Sequence, residues 1–120
     1  MKLVFFGTPK FAIPSLNALH KSKHIIATNE GSAIAIGIGY YLSTKKIPCI
    51  YLQNSGLSNA INPLISIAHE KIYSIPLLLM IGWRGSPKKN DEPQHLVKGK
   101  ITRNLLRLLK IDFCILRKES

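Results

Sequence analysis

Acidic side chains are scarce in this chain. Six Asp and Glu stand against seventeen Lys and Arg, giving a net charge of +11 over 120 residues. Cysteine is scarcer. Cys49 and Cys114 are far apart with no CxxC spacing, which argues against a disulfide framework and reads as two free thiols in a reducing cytoplasm. Long apolar runs are missing too. Nothing approaches the roughly 18 to 20 residues that span a bilayer, so no membrane segment is expected, and Ile75 to Ile81 reads as a buried strand. Met1 to Phe6 is basic then apolar, but Gly7-Thr8-Pro9-Lys10 ends it too early for a signal peptide. The expected location is cytoplasmic.

With 46% hydrophobic residues, one folded domain is the natural size. Short apolar runs alternate with helical stretches. Lys2 to Phe6, His24 to Thr28, Pro48 to Gln53, Pro76 to Gly82 and Phe113 to Leu116 read as strands. Pro14 to Lys21, a segment from the Asn29 cap to about Ser43, Leu57 to Glu70 with an irregularity at Pro63, and Ile101 to Lys110 read as helices. The Pro76 to Gly82 run is unbroken and predicts burial on both faces. Trp83 to Pro93 reads as a loop. The alternation predicts an α/β fold: an open, mostly parallel sheet with helices on both faces.

Glu30 is the carboxylate that this pattern singles out. It lies between an apolar strand and a helix of small and apolar residues, Gly31-Ser32-Ala33-Ile34-Ala35. Poor solvation there would disfavour its charged form, raise its pKa and suit it to proton exchange. A carboxylate stabilised by the helix dipole is the plainer alternative. Gly37 and Gly39 within the same helix imply close approach of another backbone or a ligand, at about 1 kcal/mol each against alanine. Gln53-Asn54-Ser55-Gly56 ends a strand and opens a helix, a common ligand position at the carboxyl ends of parallel strands; a turn with Ser55 as N-cap is compatible with it.

The charge invites a nucleic-acid reading. Lys100, Arg103, Arg107 and Lys110 recur at helical spacing, but no aromatic residue interleaves with them, so the stripe reads as a solvated face. His20 and His24 are spaced i, i+4 without further ligands, and His69 has no evident companion, so no metal site is expected.

Several motifs together resemble a known family. They are Asn29-Glu30-Gly31, Gly39-Tyr40-Tyr41-Leu42, Tyr51-Leu52-Gln53-Asn54-Ser55-Gly56-Leu57 and Asn59-Ala60-Ile61-Asn62-Pro63-Leu64, followed by Ile75-Pro76-Leu77-Leu78-Leu79, Ile81-Gly82-Trp83-Arg84-Gly85 and Asp91-Glu92-Pro93-Gln94-His95. In order and spacing, residues 24–110 resemble the pyrimidine-binding domain of thiamine-diphosphate-dependent decarboxylases of the phosphonopyruvate type and of the sulfopyruvate type, alpha subunit. Val4-Phe5-Phe6-Gly7-Thr8-Pro9-Lys10-Phe11-Ala12-Ile13-Pro14-Ser15-Leu16 looks instead like the opening of methionyl-tRNA formyltransferase. The two resemblances divide the chain into residues 1–23, formyltransferase-like, and 24–120, an incomplete pyrimidine-binding domain, with a seam near Ser22 to His24 as in a fused reading frame.

The larger resemblance implies a thiamine-diphosphate-binding fold and a role for each matching residue. Glu30 matches the carboxylate that touches the aminopyrimidine of the cofactor and favours its imino tautomer. Gln53, Asn54, Ser55 and Gly56 line the cofactor cleft. His95 stands where related decarboxylases carry an active-site histidine, and Arg84 could bind an anionic 2-oxo acid such as a phosphonate or sulfonate. The resemblance also implies a diphosphate-binding domain or subunit that holds Mg2+, whose Gly-Asp-Gly motif this sequence lacks, and an oligomer built with it. The alternatives are an inactive fused fragment, a formyltransferase remnant, or a nucleic-acid-binding module supported by charge alone.

Overall fold

The computed structural model describes residues 3–5, 25–87 and 90–116. The expected helix at Pro14 to Lys21 and the histidines His20 and His24 lie outside them. Two compact units divide the chain, Met1–Trp83 and Arg84–Ser120. This division does not coincide with the expected boundary at 23/24.

In the first unit, strands β1 (Leu3–Phe5), β2 (Ile25–Ile26), β3 (Cys49–Gln53) and β4 (Leu78–Gly82) form one sheet in the order β2-β1-β3-β4. Every pairing is parallel, as the alternating pattern predicts. Val4 registers with both Ile25 and Ile50, so the first strand is an interior member of the same sheet as the rest.

Helix α1 (Glu30–Thr44) follows β2 and packs on β3, on β1 and on the next helix. Asn29 caps it as expected: its extended backbone ends the strand connection, and its Oδ1 accepts from the Ser32 N–H at 2.8 Å. Lys45 closes it in the left-handed region at φ 58°, donating to the Tyr41 carbonyl at 2.7 Å. Ala33, Ile34, Gly37 and Ile38 form the buried face. A Cβ on Gly37 would stand 2.6 Å from Ile50 Cδ1, which explains that glycine by close helix-on-sheet packing. Gly39 has open space beside it, so close approach does not explain the second.

Ile34, Ile50, Leu52 and Leu57 are fully buried between α1, the sheet and helix α2 (Leu57–Pro63). Each such side chain is worth about 1.5–3 kcal/mol of burial. A single 3-10 turn, Asn54–Gly56, joins β3 to α2. Past Pro63 the rod widens into a π-helical turn over Leu64–Ala68, consistent with a proline that has no N–H to continue the α ladder.

Two strand expectations are corrected. Strand β4 is not buried on both faces: Leu78 and Met80 are 56% and 48% exposed. They register with Cys49 and Tyr51, while Leu79 and Ile81 register with the buried Ile50 and Leu52. One face of β4 is thus covered, and the strand is an edge among the described residues. The run Phe113 to Leu116 forms no strand at all. A strand exists only through a paired neighbour, and none among the described residues pairs with it.

The second unit is built on helix α3 (Pro93–Leu108). It starts eight residues before the expected Ile101, with Pro93 in its first turn, where a missing N–H costs nothing. Gly99, Thr102 and Leu106 are its buried residues. Lys100, Arg103, Arg107 and Lys110 are exposed, as a solvated stripe requires. Among the described residues no helix is long and apolar enough to cross a membrane.

Candidate cofactor-binding site

Chain direction places the site. From β1 the chain passes to β2 on one side, and from β3 to β4 on the other, so the order reverses between the neighbours β1 and β3. In open parallel sheets the carboxyl ends of the strands at such a reversal bound a ligand crevice. The β2–α1 connection and the β3–α2 connection both leave from that edge. They carry Asn29-Glu30 and Gln53-Asn54-Ser55-Gly56 respectively.

Glu30 is the first residue of α1 and is 5% exposed. The helix N-terminus favours negative charge there. Its Oε2 accepts a hydrogen bond of 3.0 Å from the side-chain amide of Asn59 in α2. Its Oε1 lies against Gly56, where an added methyl group would overlap the carboxyl. Gly56 is thus a cradle for this acid. Gly31 makes a second close approach: a Cβ there would stand 2.9 Å from the Asn59 carbonyl oxygen. Among the described residues no Lys or Arg forms an ion pair with Glu30. The carboxyl is withdrawn from water with one amide donor, one helix terminus and one glycine against it.

Of the other expected residues, Gln53 ends β3, with its backbone registered to Gly82, and its Oε1 accepts from the Ser55 hydroxyl at 3.1 Å. Asn54 is buried at 5% exposure. Ser55 does not cap α2. Gly56 occupies the N-cap position without a side-chain bond, because the 3-10 turn moves the helix start two residues beyond Ser55. Glu30 and Gly56 are thus in contact, and the buried Asn54 stands two residues before Gly56 in the same 3-10 turn. Asn59 joins them through its bond to Glu30; in the sequence it stands only at the head of the Asn59 to Leu64 motif, with no site role assigned to it. Its place three residues after Gly56, one helical turn on, was the available signal.

Arg84 and His95 belong to the second unit. Arg84 is forked onto Asp91, Nε to Oδ2 at 2.9 Å and Nη2 to Oδ1 at 2.6 Å. Asp91 also accepts from the backbone N–H of Gly85 at 2.7 Å and of Glu92 at 2.9 Å. Arg84 and these N–H donors hold the Asp91 carboxyl well below the usual carboxylate range, and Asp91 in turn raises the Arg84 guanidinium. His95 is not in a loop but in the first turn of α3, where Pro93 has already opened the helix. Its ring is half-buried, and its Nδ1 is a buried nitrogen without a hydrogen-bond partner among the described residues. No group of three or more His, Cys, Asp or Glu is placed to hold a metal among the described residues.

A parallel sheet with a reversal point, and a buried acid heading the helix at its carboxyl edge, define a ligand-binding α/β domain. The pattern of the family described as thiamine pyrophosphate enzyme, N-terminal TPP binding domain, matches residues 1–104. The chain belongs to this family. It is 38% identical over 95 residues to the phosphonopyruvate decarboxylase of Streptomyces viridochromogenes, covering 79% of this chain and 23% of that protein. It is 37% identical over 114 residues to the same enzyme of Streptomyces hygroscopicus, covering 92% and 28%. To the sulfopyruvate decarboxylase subunit alpha of Methanococcus maripaludis it is 37% identical over 101 residues, covering 82% and 58%. The chain thus spans about a quarter of the first two relatives and just over half of the third. The family match starts at residue 1 and takes in residues 1–22; the formyltransferase likeness of that segment has no counterpart among these relatives.

The residues present fit the pyrimidine end of thiamine diphosphate. An aminopyrimidine carries ring nitrogens and an exocyclic amine, and a fixed, buried carboxyl in a glycine cradle is a partner for that edge.

Proposed function

We propose that this chain is the pyrimidine-side part of a thiamine-diphosphate-dependent 2-oxo acid decarboxylase, of the phosphonopyruvate or sulfopyruvate type. It works with a separate domain or subunit that binds the diphosphate through Mg2+. The observation that carries this reading is the Glu30 carboxyl, buried at the head of α1, seated on Gly56 and held by Asn59 at 3.0 Å. When bound, the cofactor supplies the electron sink for loss of carbon dioxide from a 2-oxo acid. Glu30 holds and exchanges a proton at the aminopyrimidine. Gln53, Asn54, Ser55 and Gly56 bound the cofactor cleft, and burial of Asn54 and Gly56 keeps water from the carboxyl.

Two groups within the second unit have roles that the family likeness implies. His95, whose buried Nδ1 has no hydrogen-bond partner among the described residues, relays a proton to the product-forming carbon. Arg84, oriented by Asp91, receives the distal anion of the substrate. Arg84→Ala raises KM for an anionic 2-oxo acid in the assembled enzyme; an unchanged KM rejects that role.

Calorimetry with thiamine diphosphate and Mg2+ tests the division of labour. The chain alone binds weakly, and adding a subunit with the Gly-Asp-Gly motif produces tight binding. Tight binding by the chain alone, or none with any such subunit, overturns the reading; the latter result favours an inactive fragment.

A further inference from the structure

The geometry points to Asn59 as the positioning residue for Glu30. This rests on the role proposed above for Glu30, but the contact itself stands independently of it. A buried glutamate has three rotatable side-chain bonds, and burial alone does not fix the plane of its carboxyl. Here Gly56 bounds one oxygen, Oε1, while the Asn59 amide donates to the other, Oε2, at 3.0 Å. Two oxygens held from two sides fix the plane.

The backbone around Asn59 serves the same end. Its carbonyl faces Gly31, the residue after Glu30, with room for no more than a hydrogen: a Cβ at 31 would stand 2.9 Å from it. Pro63, four residues along α2, has no N–H to offer that carbonyl. Asn59 therefore touches α1 twice, by its side chain at Glu30 and by its carbonyl at Gly31. The residue is exposed on its outer side, so Asn59 forms the boundary between the buried carboxyl and solvent. For the same reason its replacement leaves the core of Ile34, Ile50, Leu52 and Leu57 intact.

Two arms test this. In proton–nitrogen NMR spectra of the full chain, the Asn59 side-chain amide pair moves on Glu30→Ala and stays in place on Asn62→Ala, a change at an exposed residue of the same helix. Asn59 signals that ignore Glu30→Ala overturn the inference. In the enzyme assembled with its diphosphate-binding subunit, Asn59→Leu lowers kcat about tenfold at unchanged KM, as loss of alignment without loss of substrate binding requires. Asn59→Asp, of equal size without the amide donor, does the same and replaces the leucine variant should that one not assemble. Parent-like kcat in both overturns the positioning role. An assembled parent without turnover counts against the decarboxylase reading, while the spectroscopic arm still decides the contact.

Discussion

Gly56 and the Glu30 carboxyl share a contact that leaves no space for a methyl group. A residue 26 positions away in sequence thereby determines whether the acid fits its site. Gly56→Ala expels or tilts the carboxyl and destabilises the chain by about 1–3 kcal/mol, the usual cost of overpacking. Urea unfolding measures it. In a Glu30→Ala background the same substitution costs far less, because the overlap is gone. Equal costs in the two backgrounds show that the cradle is not where the strain arises.

Much of this arrangement is legible in the sequence. Alternation of apolar runs with helical stretches shows the parallel sheet, and Asn29 before Glu30 shows the helix start, because both are local signals. Glu30 stands out by contrast with its apolar neighbours. The Asn59–Glu30 contact is different: it joins residues 29 apart, and only the packing of α2 on α1 brings them together. The N-terminal half of α3 is hidden because Gly99 and the flanking Lys98 and Lys100 break the apolar period. Apolar composition suggests burial for Leu78, Met80 and Phe113 to Leu116, yet burial depends on neighbours that the run itself does not specify.

Asp91 makes the turn before α3 sensitive to acid. Its folded pKa is depressed, chiefly by the Arg84 hydrogen bond and then by the Gly85 N–H. The contribution is therefore complete above the ordinary value of 3.8 and is lost as pH falls through the lower folded value. Hydrogen exchange at the Gly85 amide stays slow, after allowance for intrinsic rates, from pH 7 to pH 4 and loses protection only in stronger acid. Asp91→Asn loses that protection at every pH. Protection that decays near pH 5 contradicts the assignment.

The two thiols respond differently. Cys49 is buried in β3, and desolvation raises its pKa, whereas Cys114 is exposed. At pH 8 a thiol reagent labels Cys114 quickly and Cys49 only as the sheet opens, at least tenfold slower. Cys114→Ser removes the fast phase. Two fast phases in the parent would mean that β3 is not protected as described.

Turnover by the chain assembled with a diphosphate-binding subunit of the proposed kind reports on the Glu30 carboxyl. Glu30→Gln keeps the side chain's size and the Asn59 contact but cannot exchange the proton. The expected outcome is an intact complex, seen by sedimentation, with decarboxylation of the 2-oxo acid reduced at least a hundredfold. Decarboxylation by Glu30→Gln at the parent rate would contradict it.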